Sequence, residues 1–79
     1  MKYQNRATDV LSVRPVCDLC QEEPAAVDGS TVMGPWAYQC LLCHVKYGRG
    51  LGMGVGQVLL CGDDLDAKLL KHYHLEEAA

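Results

Sequence analysis

Seventy-nine residues with a formal charge of −3, one tryptophan and no phenylalanine make at most one domain. The apolar core of a chain this short rarely supplies more than about 3–5 kcal/mol of net stability. The acidic balance argues against a long phosphate-tracking surface, which needs clustered Lys and Arg, and no run approaches the roughly 18 apolar residues of a spanning helix. Five cysteines and three histidines are the available staple.

The opening segment "MKYQNRATDVLSV" lacks the continuous apolar run of a secretory signal. This predicts a cytosolic setting, in which thiols stay reduced and paired cysteines serve as metal ligands rather than disulfides. Residues 10–16, "VLSVRPV", alternate around Leu11, Val13 and Pro15 and predict an edge strand, with Pro15 limiting inner pairing.

Cys17-Asp-Leu-Cys20 and Cys40-Leu-Leu-Cys43 follow, with nineteen residues between the pairs. That gap lies within the range of about 15–20 residues read as a zinc site. Two intervening residues let a tight turn aim both sulfurs at one ion, and two such pairs close a tetrahedral S4 shell. The expectation is one structural Zn²⁺ held by Cys17, Cys20, Cys40 and Cys43. Iron in a rubredoxin-like electron carrier is the open alternative, because tetrahedral sulfur suits both metals. A closed shell leaves no position for substrate, and Ser12 and Ser30 have no evident base partner, so no enzyme is expected. Cys43-His44 also completes a C-x-x-C-H haem-attachment pattern, but haem would leave Cys17 and Cys20 unexplained. His44 is expected beside the metal shell, exposed at the surface.

Between the cysteine pairs, Asp28-Gly29 flanked by Val27 and Thr31 predicts a hairpin turn. Gly34-Pro35 predicts a second turn, returning through Trp36 and Tyr38 to Cys40, with Trp36 as a core plug. "CLLCHVKYG" reads as two helical turns from Cys40, with Gly48 as a C′ residue. The second cysteine pair then sits in the first turn, where the helix dipole favours thiolate. Knuckle, hairpin and ligand-bearing helix is the order of a treble clef. The fold expected is a small zinc-stapled α+β domain, treble-clef-like, with a zinc ribbon as the alternative.

In "YGRGLGMGVGQ" glycine occupies every second position from Gly48 to Gly56. Were residues 48–56 extended, Arg49, Leu51, Met53 and Val55 would share one side and leave the other bare. A mobile loop, a bare face used in binding, and tight packing within the fold all remain open. No register matches G-x-G-x-x-G, so nucleotide binding is not supported.

The tail predicts a helix from about Leu65 to Glu77, capped by Asp63 or Asp64, with Asp66 in its first turn. Leu65, Leu69 and Tyr73 form a stripe that Leu70 widens. That stripe either packs on the finger or forms a homodimer through this helix. Cys61 is expected as a lone buried thiol, since His72 and His74 point apart on a helix and chelate poorly. The chain thus divides into a four-cysteine zinc finger over 1–62, containing the glycine segment, and an amphipathic helix over 63–79.

The block C-D-L-C … V-D-G … M-G-P-W-A-Y-x-C-x-x-C … Y-G-x-G-L-G-x-G-x-G-Q, residues 17–57, resembles small zinc-finger proteins of bacteriophages and actinobacteria. The resemblance spans about half the chain. It implies zinc on Cys17, Cys20, Cys40 and Cys43 and a phage or bacterial origin. The expected function is a non-enzymatic structural-zinc module in the bacterial cytoplasm, not bound to membrane. It would bind a protein partner, in the host's transcription or replication machinery. The alternative is a small nucleic-acid-binding finger. The residues available for contact in either case are Arg14, Lys46, Arg49, Leu51 and Met53.

Overall fold

The computed structural model of the chain describes residues 8–52 and 54–75. Its elements are β1 (Thr8–Val10), β2 (Val27–Ser30), β3 (Trp36–Gln39), α1 (Leu41–Tyr47), β4 (Gly56–Leu60) and α2 (Leu65–His72). Val27 and Val58 pair across β2 and β4, both fully buried, and the sheet grows outward from this pair. Its strand order is β1-β4-β2-β3, with β1 parallel to β4 and the other two pairings antiparallel. The second inner strand, β4, is added only after the β2–β3 hairpin and α1 are complete. Among the described residues no helix is long and apolar enough to cross a membrane.

The inner strands are buried over successive residues, Val58 to Leu60 on β4 and Ala25 to Val27 leading into β2. Val27, Val58 and Leu60 join Ala26 in one cluster, onto which α2 lays Leu69. Leu65 and Leu70 of α2, Tyr73 at its C-terminal cap and Leu41 of α1 pack around it. The apolar stripe of the C-terminal helix therefore faces the sheet. The helix is shorter than its pattern suggests, ending at His72; the expected terminus at Glu77 lies outside the described residues. Asp63 and Asp66 serve the turn before it. Asp63 Oδ1 accepts from the Leu65 N–H, while the Asp66 carboxylate accepts from the Cys61 and Gly62 N–H groups.

Several local expectations are corrected. Asp28-Gly29 makes no turn: both residues lie inside β2. Gly29 is there for close approach, since a Cβ on it would come 2.8 Å from the Gly56 Cα across the sheet. The hairpin turns instead through residues 31–35, where the Gly34 N–H donates to Thr31 O and the Thr31 hydroxyl to Pro35 O. The strand expected over 10–16 ends at Val10. Pro15 cannot donate to a ladder, and Arg14 is drawn inward while Val13 is 77% exposed. Trp36 is not a core plug. Gln39 of β3 faces the interior, so Trp36, out of step with it, projects outward and is 49% exposed.

The glycine run is not extended. Gly50, Gly52 and Gly54 take positive φ, and the loop closes where the Gly52 N–H donates to Gly56 O at 2.7 Å and the Gly56 N–H returns to Gly52 O at 3.0 Å. Leu51 packs on the main apolar cluster. Close packing holds at the two ends of the run: a Cβ on Gly56 would come 2.6 Å from Gly50 O, whereas one on Gly52 or Gly54 would meet no atom within 4 Å. Gly48 caps α1 with an ordinary negative φ, not as a left-handed C′ residue. It is glycine because a Cβ would collide with the His44 ring.

Candidate metal centre

Two different backbone devices present the sulfurs. Residues 17–24 form a closed knuckle: the Cys17 N–H donates to Glu23 O at 2.8 Å and the Gln21 N–H to Cys17 O at 2.9 Å. The Cys20 N–H points at Cys17 Sγ, 3.5 Å away. At the second pair Cys40 is the N-cap of α1, and its Sγ accepts from the Cys43 N–H, again at 3.5 Å. In both pairs the first sulfur of C-x-x-C receives the N–H of the last residue, which favours its thiolate.

Asp18 brings the two devices together. Its N–H donates to Tyr38 O at 2.8 Å, and its carboxylate accepts from the Tyr38 N–H at 2.9 Å. The knuckle thereby clasps the outer edge of β3, two residues before Cys40. The clasp also satisfies backbone groups that an edge strand would otherwise expose.

The four sulfurs all lie within 4.8 Å of one another, and Cys20 Sγ and Cys40 Sγ are 3.9 Å apart. A tetrahedron with metal–sulfur bonds of about 2.3 Å has sulfur–sulfur edges of about 3.8 Å, so the donors fit one zinc-sized ion. Cys17, Cys40 and Cys43 are buried and Cys20 half-buried. Their titration shows what the cluster demands. Burial works against the Cys17 thiolate, but N–H groups led by that of Cys20 outweigh it and bring the thiol down to about 6. Burial raises Cys40. Burial and the neighbouring Cys40 and Cys17 push Cys43 up to about 12. The Cys17 proton leaves readily while that of Cys43 is held, first by burial and then by its sulfur neighbours. A dication among them stabilises the thiolates and releases the protons.

The remaining candidates are dispersed. Arg14 is not a surface contact: all five N–H donors of its guanidinium bond within the molecule. Nε and Nη2 hold Asp63 at 2.8 and 2.9 Å, Nη2 also holds Asp66 at 2.7 Å, and Nη1 caps the Ala25 and Leu59 carbonyls. That hydrogen bond from Arg14 lowers Asp63 to about 2. Lys46 and Arg49 are exposed, Leu51 is packed on the core, and Met53 lies outside the described residues. Cys61 is half-buried rather than buried, and burial raises its thiol. Neither it nor His72 nor His74 joins the sulfur cluster.

His44 is corrected from an exposed residue to a buried one. Its Nε2 faces Gly50 O at 3.2 Å, which requires a proton there, leaving Nδ1 to accept from the Tyr73 hydroxyl at 2.8 Å. Burial lowers its pKa. One imidazole thus links α1, the glycine loop and the end of α2. Sequence reasoning missed Asp18, His44 and Tyr73 as positioning residues. The available signals were a short acceptor inside the first C-x-x-C and a histidine directly after the second.

Comparison with protein-family models, with curated proteins and with solved structures finds no match to this chain. The chemistry of the four sulfurs therefore carries the functional reading.

Proposed function

We propose that the protein is a non-enzymatic, treble-clef-like module organised by one structural Zn²⁺ and acting by docking a protein partner. The observation that carries this is the convergence of Cys17, Cys20, Cys40 and Cys43 into a set sized for one ion. Four protein sulfurs complete a tetrahedral shell, and a complete shell serves structure rather than catalysis. Knuckle, β2–β3 hairpin and a helix carrying the second pair support the treble-clef assignment over the ribbon, in which both pairs sit on β-knuckles. Docking is supported by the large side chains left exposed on the hairpin turn and α1, among them Met33, Trp36 and Leu42. The resemblance to phage finger proteins directs the search for the partner to bacterial transcription and replication machinery. Nucleic-acid binding is the weaker reading, because Arg14 is committed internally and only Lys46 and Arg49 remain of its basic set.

Elemental analysis of folded, reduced protein tests the metal. One zinc per chain is expected, and folded protein free of transition metal overturns the assignment; stoichiometric iron would restore the electron-carrier alternative. Affinity capture tests docking: specific retention of a bacterial protein by the intact chain, lost in Trp36→Ala or Leu42→Asp, is expected. Retention indifferent to both substitutions overturns it.

A further inference from the structure

A groove of about 490 Å³ runs between the first knuckle, α1 and α2. Its floor is apolar, with Leu19, Ala26, Leu41, Leu65 and Leu69. Its walls differ in charge: the knuckle side carries Glu22 and Glu23, the helix side Lys46 on α1 and Lys68 on α2. No described residue forms an ion pair with any of these four. On the α1 side Leu42, which lines the groove, and Val45, one turn further on, are exposed at 65% and 66%. An aliphatic ridge beside an apolar groove is the composition of an interface centre, and charges along the two rims supply register.

A partner of one charge sign would meet repulsion on one rim. A second copy of this chain meets none. A two-fold axis along the groove places the helix wall of each copy over the knuckle wall of the other. Lys46 and Lys68 then face Glu22 and Glu23 twice over, and Leu42 of each copy meets the knuckle side of its partner's groove. We propose that the groove between the knuckle and the two helices is an isologous homodimer interface, with Leu42 as its apolar anchor. This deepens the docking reading above by naming one partner, and it moves self-association away from the α2 stripe, which the core occupies.

Sedimentation of the zinc-loaded protein from about 1 μM to about 1 mM tests the proposal. The weight-average mass should rise from one chain to two, and Leu42→Asp should remain at one. A variant with Lys46→Glu and Lys68→Glu, and another with Glu22→Lys and Glu23→Lys, should each self-associate at least about tenfold more weakly. Mixed, these two should pair one to one, because each then offers what the other lacks. Zinc content and far-UV spectra establish that every variant is folded, and Leu42→Ser replaces Leu42→Asp should the latter lose its metal. The proposal is overturned if the wild type stays at one chain throughout, or if folded charge variants fail to pair. A monomer that carries one zinc and still captures another protein overturns the second-copy assignment while leaving the docking reading standing.

Discussion

The two halves of this molecule are held by different forces. In the sheet half, Ala26, Val27, Val58, Leu60 and Leu69 form a fully buried aliphatic cluster, sealed by both helices. In the finger half, the buried cluster is Cys17, Cys40 and Cys43, with only Leu19 and Cys20 packed against it. The first can form by excluding water from apolar surface. The second has little apolar surface to bury and its sulfurs repel one another once ionised, so on the reading proposed above a metal ion supplies what hydrocarbon does not. The contrast teaches that size alone does not decide where a small domain needs a metal. The need arises where the chain places sulfur instead of hydrocarbon at the point its segments converge.

The largest effect expected is therefore at the sulfurs. Cys43→Ser, or chelation of the wild type, should remove a contribution of the order of the 10–16 kcal/mol measured for small finger peptides. The finger half should unfold, and the sheet half, left with an aliphatic core too small to stand alone, should follow. Far-UV circular dichroism read against metal content checks this. A chain that keeps its secondary structure after complete metal loss would erase the contrast between the halves.

Next in size is Leu69, fully buried in the sheet half. Leu69→Ala should cost about 2–5 kcal/mol, the range for deleting a buried leucine. It should lower the denaturant midpoint while the folded variant still binds one zinc. Loss of zinc stoichiometry in folded Leu69→Ala would show that the two halves are not separable in this way.

Arg14 tests the seam by which the N-terminal segment is tied to the start of α2. Its side chain is 6% exposed, and Arg14→Ala takes a donor from the Ala25 and Leu59 carbonyls and leaves the Asp63 and Asp66 carboxylates without their counter-charge. A loss of about 2–3 kcal/mol is expected. Arg14→Lys should recover little of it, since an ammonium cannot reproduce a five-donor fork. Equilibrium denaturation of the three proteins compares them directly, and a lysine variant as stable as wild type would mean that charge alone matters at this position.

The finger was legible in the sequence because its signals are local. Paired cysteines at fixed spacing, a helix beginning at Cys40 and a turn at Gly34-Pro35 each depend on neighbours within a few residues. The apolar stripe of α2 was legible for the same reason. What misled was chemistry with a second explanation. Asp28-Gly29 carries a turn signature, yet Gly29 answers to Gly56, twenty-seven residues away in sequence. Arg14 has the composition of a surface contact, yet its partners Asp63 and Asp66 lie forty-nine and fifty-two residues along the chain. The glycine run offered an alternation that reads as an extended strand, yet positive φ at Gly50, Gly52 and Gly54 and a backbone closure give its form. Long-range partners are written into a sequence one residue at a time, without an index.

The smallest effect concerns His44, where the two halves touch through Tyr73 and Gly50. Burial keeps this imidazole neutral and holds its pKa below the ordinary 6.5. As the pH falls through about 6.5, the unfolded chain takes up a proton that the folded chain refuses, so stability falls. The contribution is fully present above that pH and declines below it, by no more than one proton, or about 1.4 kcal/mol per pH unit. His44→Gln should be less stable near pH 7, because it repacks the site, but its stability should change less between pH 7 and 6. The glutamine amide can still donate to Gly50 O and has no proton to gain. The slopes of unfolding free energy against pH, measured in zinc-containing buffer, separate this from proton competition at the sulfurs, which both proteins share. Equal slopes would assign the acid sensitivity to the metal centre alone and leave His44 as a packing residue.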